Sequence, residues 1–322
     1  MSRTELQVSS PGCLLLPRHV MEILMNSLHI KNQACSPALS QMGKIRLGAK
    51  SHLVGCLEEL TTLRENAAAI YSPPVEVMIL DGAATVNMLA PGNAKTFSDH
   101  EEAYTRILLH VQDSVMQGYI KVSISTVDTD VVVLAVAVAG YLVIDELWVA
   151  FGTGKNFRHL AAHEMAVALG TNKCRGLPFF HAFTGCDTVS CFSGREKRTA
   201  WETWKACNKV TDEVTTAFCA LAATPTIPTV EDYMDQLERF VILLYDRTSS
   251  QEHANEARKH LFTRGGRSIE AIPPTREALR QHRKRAAYQA GYCWGQMMIC
   301  TPELPSPSEW GWVQSDNGWG IY

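Results

Sequence analysis

An α/β fold with a mostly parallel sheet is what this sequence predicts, on three observations. Apolar runs of strand length, Val75–Leu80 and Tyr119–Ser125, alternate with longer runs of helical period. Both strands end in carboxylates: Asp81 follows the first, Asp128 and Asp130 the second. The turn Gly185-Cys186-Asp187-Thr188 adds Asp187 further along. Ligands of open α/β sheets bind off the carboxyl ends of the strands, so these acids are expected to gather at one edge.

The elements follow in order. Residues 1–70 form an irregular or helical N-terminal region, in which Leu53–Asn66 has the period of an amphipathic helix. Ser72-Pro73-Pro74 breaks the chain before the first strand. Glu101–Gln117 reads as a helix with Ile107, Leu108, Val111 and Val115 on one face. Val131–Ile144 is β-branched but too long for an ordinary strand, so its length makes it a buried helix. Glu146–Phe151 and Phe157–Leu160 pair as a hairpin around Gly152-Thr153-Gly154-Lys155-Asn156, a better hairpin turn than phosphate loop. Ala162–Leu169 is a helix, and Leu177–Phe183 is expected to carry the chain back to the sheet. Residues 75–200 make up the α/β domain. Residues 201–290 form a helical extension, with helices at 201–220, 231–246 and 275–290, and 291–322 an extended tail rich in Trp and Pro.

Composition supports a folded core: of 322 residues, 46% are hydrophobic and 20% charged. The net charge of -3 exerts no global pull on nucleic acid, so any such contact needs a local basic patch. Ten cysteines include no CxxC pair, which leaves no zinc spacing and favours buried thiols. His163-Glu164 lacks the second histidine of a zincin. The apolar core Cys13–Leu16 is too short for a secretory signal, and Val131–Ile144 falls below the roughly 18 residues of a membrane span. No membrane association and a nuclear or cytoplasmic setting are the expectation.

Each acid also has a plainer reading. Asp81 could end a strand, Asp128 and Asp130 could cap the following helix, Glu102 could complement a helix dipole, and Asp187 could serve its turn. Gathered at one edge, however, carboxylates require hard cations, and Mg²⁺ or Mn²⁺ suits an all-oxygen site. His181, between Phe180 and Ala182, reads as a buried, hydrogen-bonded histidine. The basic positions Arg276, Arg280, Arg283, Lys284 and Arg285, with Lys197 and Arg198 upstream, form either a solvated face or a contact to phosphate backbone.

The ordered set Asp81, Glu102, Asp128 with Asp130, and Gly185-Cys186-Asp187 resembles the flap-endonuclease and XPG-type nucleases of the PIN-like superfamily. A closer resemblance, over strings around His100–His110, Val127–Ala135, Phe151–Arg158, Leu177–Ser190 and Leu237–Ser250, is to a multi-copy group of uncharacterised animal proteins. Together the matches span roughly residues 75–313. The resemblance implies a PIN-like, Rossmann-like sheet flanked by helices and two-metal hydrolysis of DNA or RNA phosphodiesters. Asp81 and Glu102 would serve one Mg²⁺ or Mn²⁺ ion; Asp128, Asp130 and Asp187 would serve the other.

Three positions depart from that plan. Tyr104 stands where a second acid is expected, and a phenol is a poor Mg²⁺ ligand. The interval from Asp81 to Glu102 is too short for the second parallel strand of the family, as if a block near Asp99 were missing. Glu196 replaces the second glycine of the Gly-x-Gly that grips phosphate in the family's helix-hairpin-helix. An impaired nuclease, a non-catalytic nucleic-acid- or protein-binding module and a truncated, inactive product are the resulting alternatives.

Overall fold

The computed structural model of the chain describes residues 36–41, 43–61, 72–81 and 97–321 apart from 207, 266, 316 and 317; for 97–105, 208–211, 265, 315 and 318 it describes the backbone alone. Its centre is a four-stranded sheet: β3 (Val77–Leu80), β4 (Lys121–Thr126), β5 (Glu146–Phe151) and β6 (Arg158–Ala161), in that spatial order. Strands β3, β4 and β5 run parallel, and β6 returns antiparallel to β5. Two short antiparallel ladders lie outside it, β1 (Ser40–Gln41) with β2 (Lys44–Ile45) and β7 (Val313–Ser315) with β8 (Gly318–Gly320).

Eleven α-helices are described: α1 (His52–Glu58), α2 (Phe97–Met116), α3 (Thr129–Ala139), α4 (Ala162–Leu169), α5 (Thr171–Phe183), α6 (Lys197–Ala206), α7 (Asn208–Leu221), α8 (Ile227–Asp232), α9 (Met234–Tyr245), α10 (Ala254–Gly265) and α11 (Arg276–Tyr288). Helix α3 is buried from Thr129 to Val138, which is why its sequence shows no polar face. Helix α5 lies against α3 on one side and against α7 and α11 on others. The stretch Leu177–Phe183, expected to return to the sheet, is instead the last two turns of α5. Leu177, Phe179, Phe180 and Phe183 are all buried among helices, and tertiary packing outweighs the β-propensity of such aromatic residues.

Other differences concern boundaries. The helix expected over 231–246 is broken at Tyr233 into α8 and α9. Helix α10 has no counterpart in the sequence reading. The Trp-rich tail is not simply extended: a 3-10 turn at Pro307–Trp310 and the β7–β8 ladder place Trp310 and Trp312 in the core. Among the described residues no helix is long and apolar enough to cross a membrane.

Candidate functional site

Strand ends and one loop build the acidic edge. Asp81 directly follows β3, where its N–H still donates to Ser125 O of β4 at 2.9 Å. Its buried carboxylate accepts from Thr126 Oγ1 at 2.6 Å. The same hydroxyl accepts from Asp128 N at 3.0 Å, so one threonine ties the end of β3 to the start of α3. Asp128 caps α3, with Oδ1 accepting from Asp130 N at 2.8 Å. The capping reading of Asp128 is therefore met by its side chain. Asp187 reaches the same edge from the loop between α5 and α6.

Lys50 stands where these acids converge. Its ammonium lies 2.6 Å from Asp187 Oδ2, 3.2 Å from Asp128 Oδ1 and 3.3 Å from Asp130 Oδ1. Burial alone would lower the lysine's pKa, but Asp130 and Asp128, and then the hydrogen bond to Asp187, raise it above its ordinary value. Nothing in the sequence marked Lys50, a lone lysine in a turn with no spacing relation to the acids. Its position comes from long-range contacts. Cys191 N donates to Arg46 O at 2.8 Å, Ser193 N to Ala38 O at 2.8 Å and Arg46 N to Ser190 Oγ at 3.4 Å. Cys191 also fits tightly between two glycines. A Cβ on Gly48 would come within 3.0 Å of the Cys191 Cβ, and one on Gly185 within 2.7 Å. Gly185 has φ +111°, a conformation that L side chains rarely adopt. The loops that carry Lys50 and Asp187 are thereby held to each other.

Behind the edge is a buried polar chain. Asp130 Oδ1 also bonds His181 Nε2 at 2.8 Å, and the His181 ring stacks on Trp294 at 5.5 Å. Burial pushes the imidazole pKa down, reinforced by the nearby Lys197 charge, so His181 is neutral and donates from Nε2. Burial would raise the Asp130 pKa; His181 and Lys50 outweigh it and lower it instead. Lys197 is itself inside the protein, donating to His181 O at 2.7 Å and Thr184 Oγ1 at 3.0 Å. Burial pulls its pKa down to about 7 against the opposing pull of Cys186 and Asp130.

Glu102 and Tyr104 lie on α2, with side chains outside the described residues. Lys197, Arg283 and Arg285, expected at a phosphate backbone, are buried and make internal contacts. Arg283 donates to Val230 O at 2.7 Å and pairs with Glu231. Arg285 donates to Gly311 O at 2.8 Å. Arg198 pairs with Glu59, Arg276 with Asp235 and Glu238, and Arg280 with Glu231. Lys284 is half-buried. A further cluster, Asp235, Glu238 and His253, brings three possible ligand atoms within 4.8 Å of one another. There too an internal cation is present, Arg276 Nε at 3.3 Å from the buried Glu238 carboxylate.

Whether the acidic edge as arranged fits a divalent ion can be judged from distance. Mg²⁺ holds oxygens at about 2.0–2.1 Å, whereas Asp128, Asp130 and Asp187 stand at ammonium distances of 3.2, 3.3 and 2.6 Å from a nitrogen at their common centre. Asp81 is turned to the Thr126 hydroxyl. The residues in this arrangement do not fit the ion pair that the acids alone suggest. Compared with protein-family models, curated proteins and solved structures, the chain matches none.

Proposed function

We propose that the chain is a nuclease-like protein of PIN-like type, built on the plan of a Mg²⁺- or Mn²⁺-dependent hydrolase of DNA or RNA, that has lost turnover and serves as a non-catalytic binding module. The observation that carries this reading is the Lys50 ammonium at the meeting point of Asp128, Asp130 and Asp187. The acids keep the order expected of such a phosphodiesterase, with Asp81 and Asp128 after strands and Asp187 in the loop after α5, while the cation among them belongs to the chain. An ammonium neutralises carboxylates but leaves no open position at which a water could become a nucleophile near neutral pH. Tyr104 and the short interval after Asp81 weaken the ligand set further.

A cleavage assay in Mn²⁺ on flap and single-stranded DNA and RNA tests the loss of turnover. The wild-type chain and Asp128→Ala are expected to be equally inactive. Turnover on the 1–10³ s⁻¹ scale common to enzymes, abolished by Asp128→Ala, would overturn the reading. Filter retention of the same DNA and RNA tests nucleic acid as the partner. Retention that weakens steeply with salt supports it; no retention at low salt turns the module reading toward protein partners.

A further inference from the structure

The carboxylates around Lys50 come from two separate parts of the chain, the start of α3 and the loop after α5, and meet at one nitrogen. We propose that Lys50 is a tethered cation that substitutes for a metal ion at this edge, so that the folded chain neither needs nor admits a divalent ion there. The proposal rests on the nuclease-like reading only for the origin of the acids.

Three observations support it. First, the acids need a positive charge. Asp130 has a side chain only 4% exposed, and an ionised carboxylate that far from water is costly unless paired. Lys50 and the neutral His181 are the partners it has among the described contacts. Second, Lys50 is held rather than loosely tethered. Its segment is bonded to Ser190 and Cys191 through Arg46, and Gly48 lies against Cys191. Third, the acids already bonded to the ammonium are those a metal would use. An ion could enter only by displacing Lys50, and the displaced side chain would have to leave a position stabilised by three carboxylates at once. Arg276 at the Asp235–Glu238–His253 cluster repeats the device with a guanidinium.

The test is the melting temperature of the full chain with EDTA and with millimolar Mn²⁺. Lys50→Met keeps the unbranched stem of the side chain and removes its charged end; Lys50→Arg keeps the charge. Wild type and Lys50→Arg are expected to melt at the same temperature with or without Mn²⁺. Lys50→Met should melt several degrees lower in EDTA and recover most of that loss in Mn²⁺. If Lys50→Met fails to fold in EDTA, refolding on addition of Mn²⁺ is the expected result, and failure to refold would overturn the proposal. A wild-type melting temperature that rises by several degrees in Mn²⁺ would also overturn it, as would a Lys50→Met protein as stable in EDTA as the parent. These outcomes are separable from those of the cleavage assay. A metal-indifferent Lys50→Met in a chain without turnover sinks the tethered cation and leaves the nuclease-like reading standing; turnover by a wild type whose melting temperature ignores Mn²⁺, with Lys50→Met rescued by Mn²⁺, does the reverse.

Discussion

At Asp130 a single carboxylate oxygen takes up both His181 and Lys50, at 2.8 and 3.3 Å. The ring behind it and the ring of His282, which bonds Phe183 O at 2.8 Å, are fully buried. Burial lowers the pKa of both; in His282 it falls from 6.5 to about 3. Lys197 falls from 10.5 to about 7 for the same reason. The sign follows from proton counts. Between the folded and unfolded pKa of each group the unfolded chain holds a proton that the folded chain lacks, so stability rises with pH across the window. For the histidines that window lies below 6.5; for Lys197 it runs upward from about 7. Asp130, lowered from 3.8, acts in the same sense at more acid pH. Urea midpoints should therefore climb between about pH 5 and about pH 8, each fully buried group contributing roughly 1.4 kcal/mol per pH unit inside its window. A flat profile would mean that these groups reach water. Gly185→Ala is a second residue-scale test. With φ at +111° and Cys191 2.7 Å from the new Cβ, it should cost about 1–3 kcal/mol in denaturant titrations and loosen Asp187 from Lys50.

Among the elements, α11 separates what a sequence can reveal from what it cannot. Its charge pattern announced a basic helix, and the Thr275 side chain caps it by accepting from Ala278 N. The period did not reveal that a second helix face is also covered, by α8 and by the tail, so that Arg283 and Arg285 are interior. Arg283→Ala should then destabilise the fold by about 1–3 kcal/mol, the usual cost of removing a buried donor on which a backbone carbonyl relies, measured by chemical denaturation. A loss of DNA affinity at unchanged stability would instead place Arg283 on a surface. Strands β3, β4 and β5, the hairpin to β6 and the helix after Asp128 were legible because length, alternation and strand-end acids are local signals. Helix α10, the break at Tyr233 and the helical state of Leu177–Phe183 were not, because they depend on which neighbours cover each face. Of the candidate site, Asp81, Asp128, Asp130 and Asp187 could be read from the chain; Lys50 could not, since it is defined only by where its loop docks.

On the scale of the molecule, the division into an α/β domain over 75–200 and a helical extension over 201–290 meets a shared core. Phe179, Phe180 and Phe183 of α5 have ring contacts with Trp204, Phe218, Phe240 and His282, all C-terminal to residue 200. Those rings contribute the buried area that stabilises both parts, at about 25 cal/mol per Å². A fragment ending at residue 200 should retain helical circular dichroism but bind a hydrophobic dye and melt without a cooperative transition, the behaviour of a chain whose packing is lost. A sharp thermal transition in that fragment, with no dye binding, would show that the α/β part stands alone.

The distance in sequence between Lys50 and its acids has a kinetic consequence. Asp128 lies 78 residues downstream and Asp187 137, so Lys50 leaves the ribosome first and waits for partners that are synthesised much later. Closing such loops costs entropy before the contact rewards it, so this contact is expected late in the folding reaction. The lysine then acts as a latch on a structure already made. In stopped-flow measurements Lys50→Met should speed unfolding markedly while leaving the refolding rate almost unchanged, the pattern of an interaction absent from the transition state.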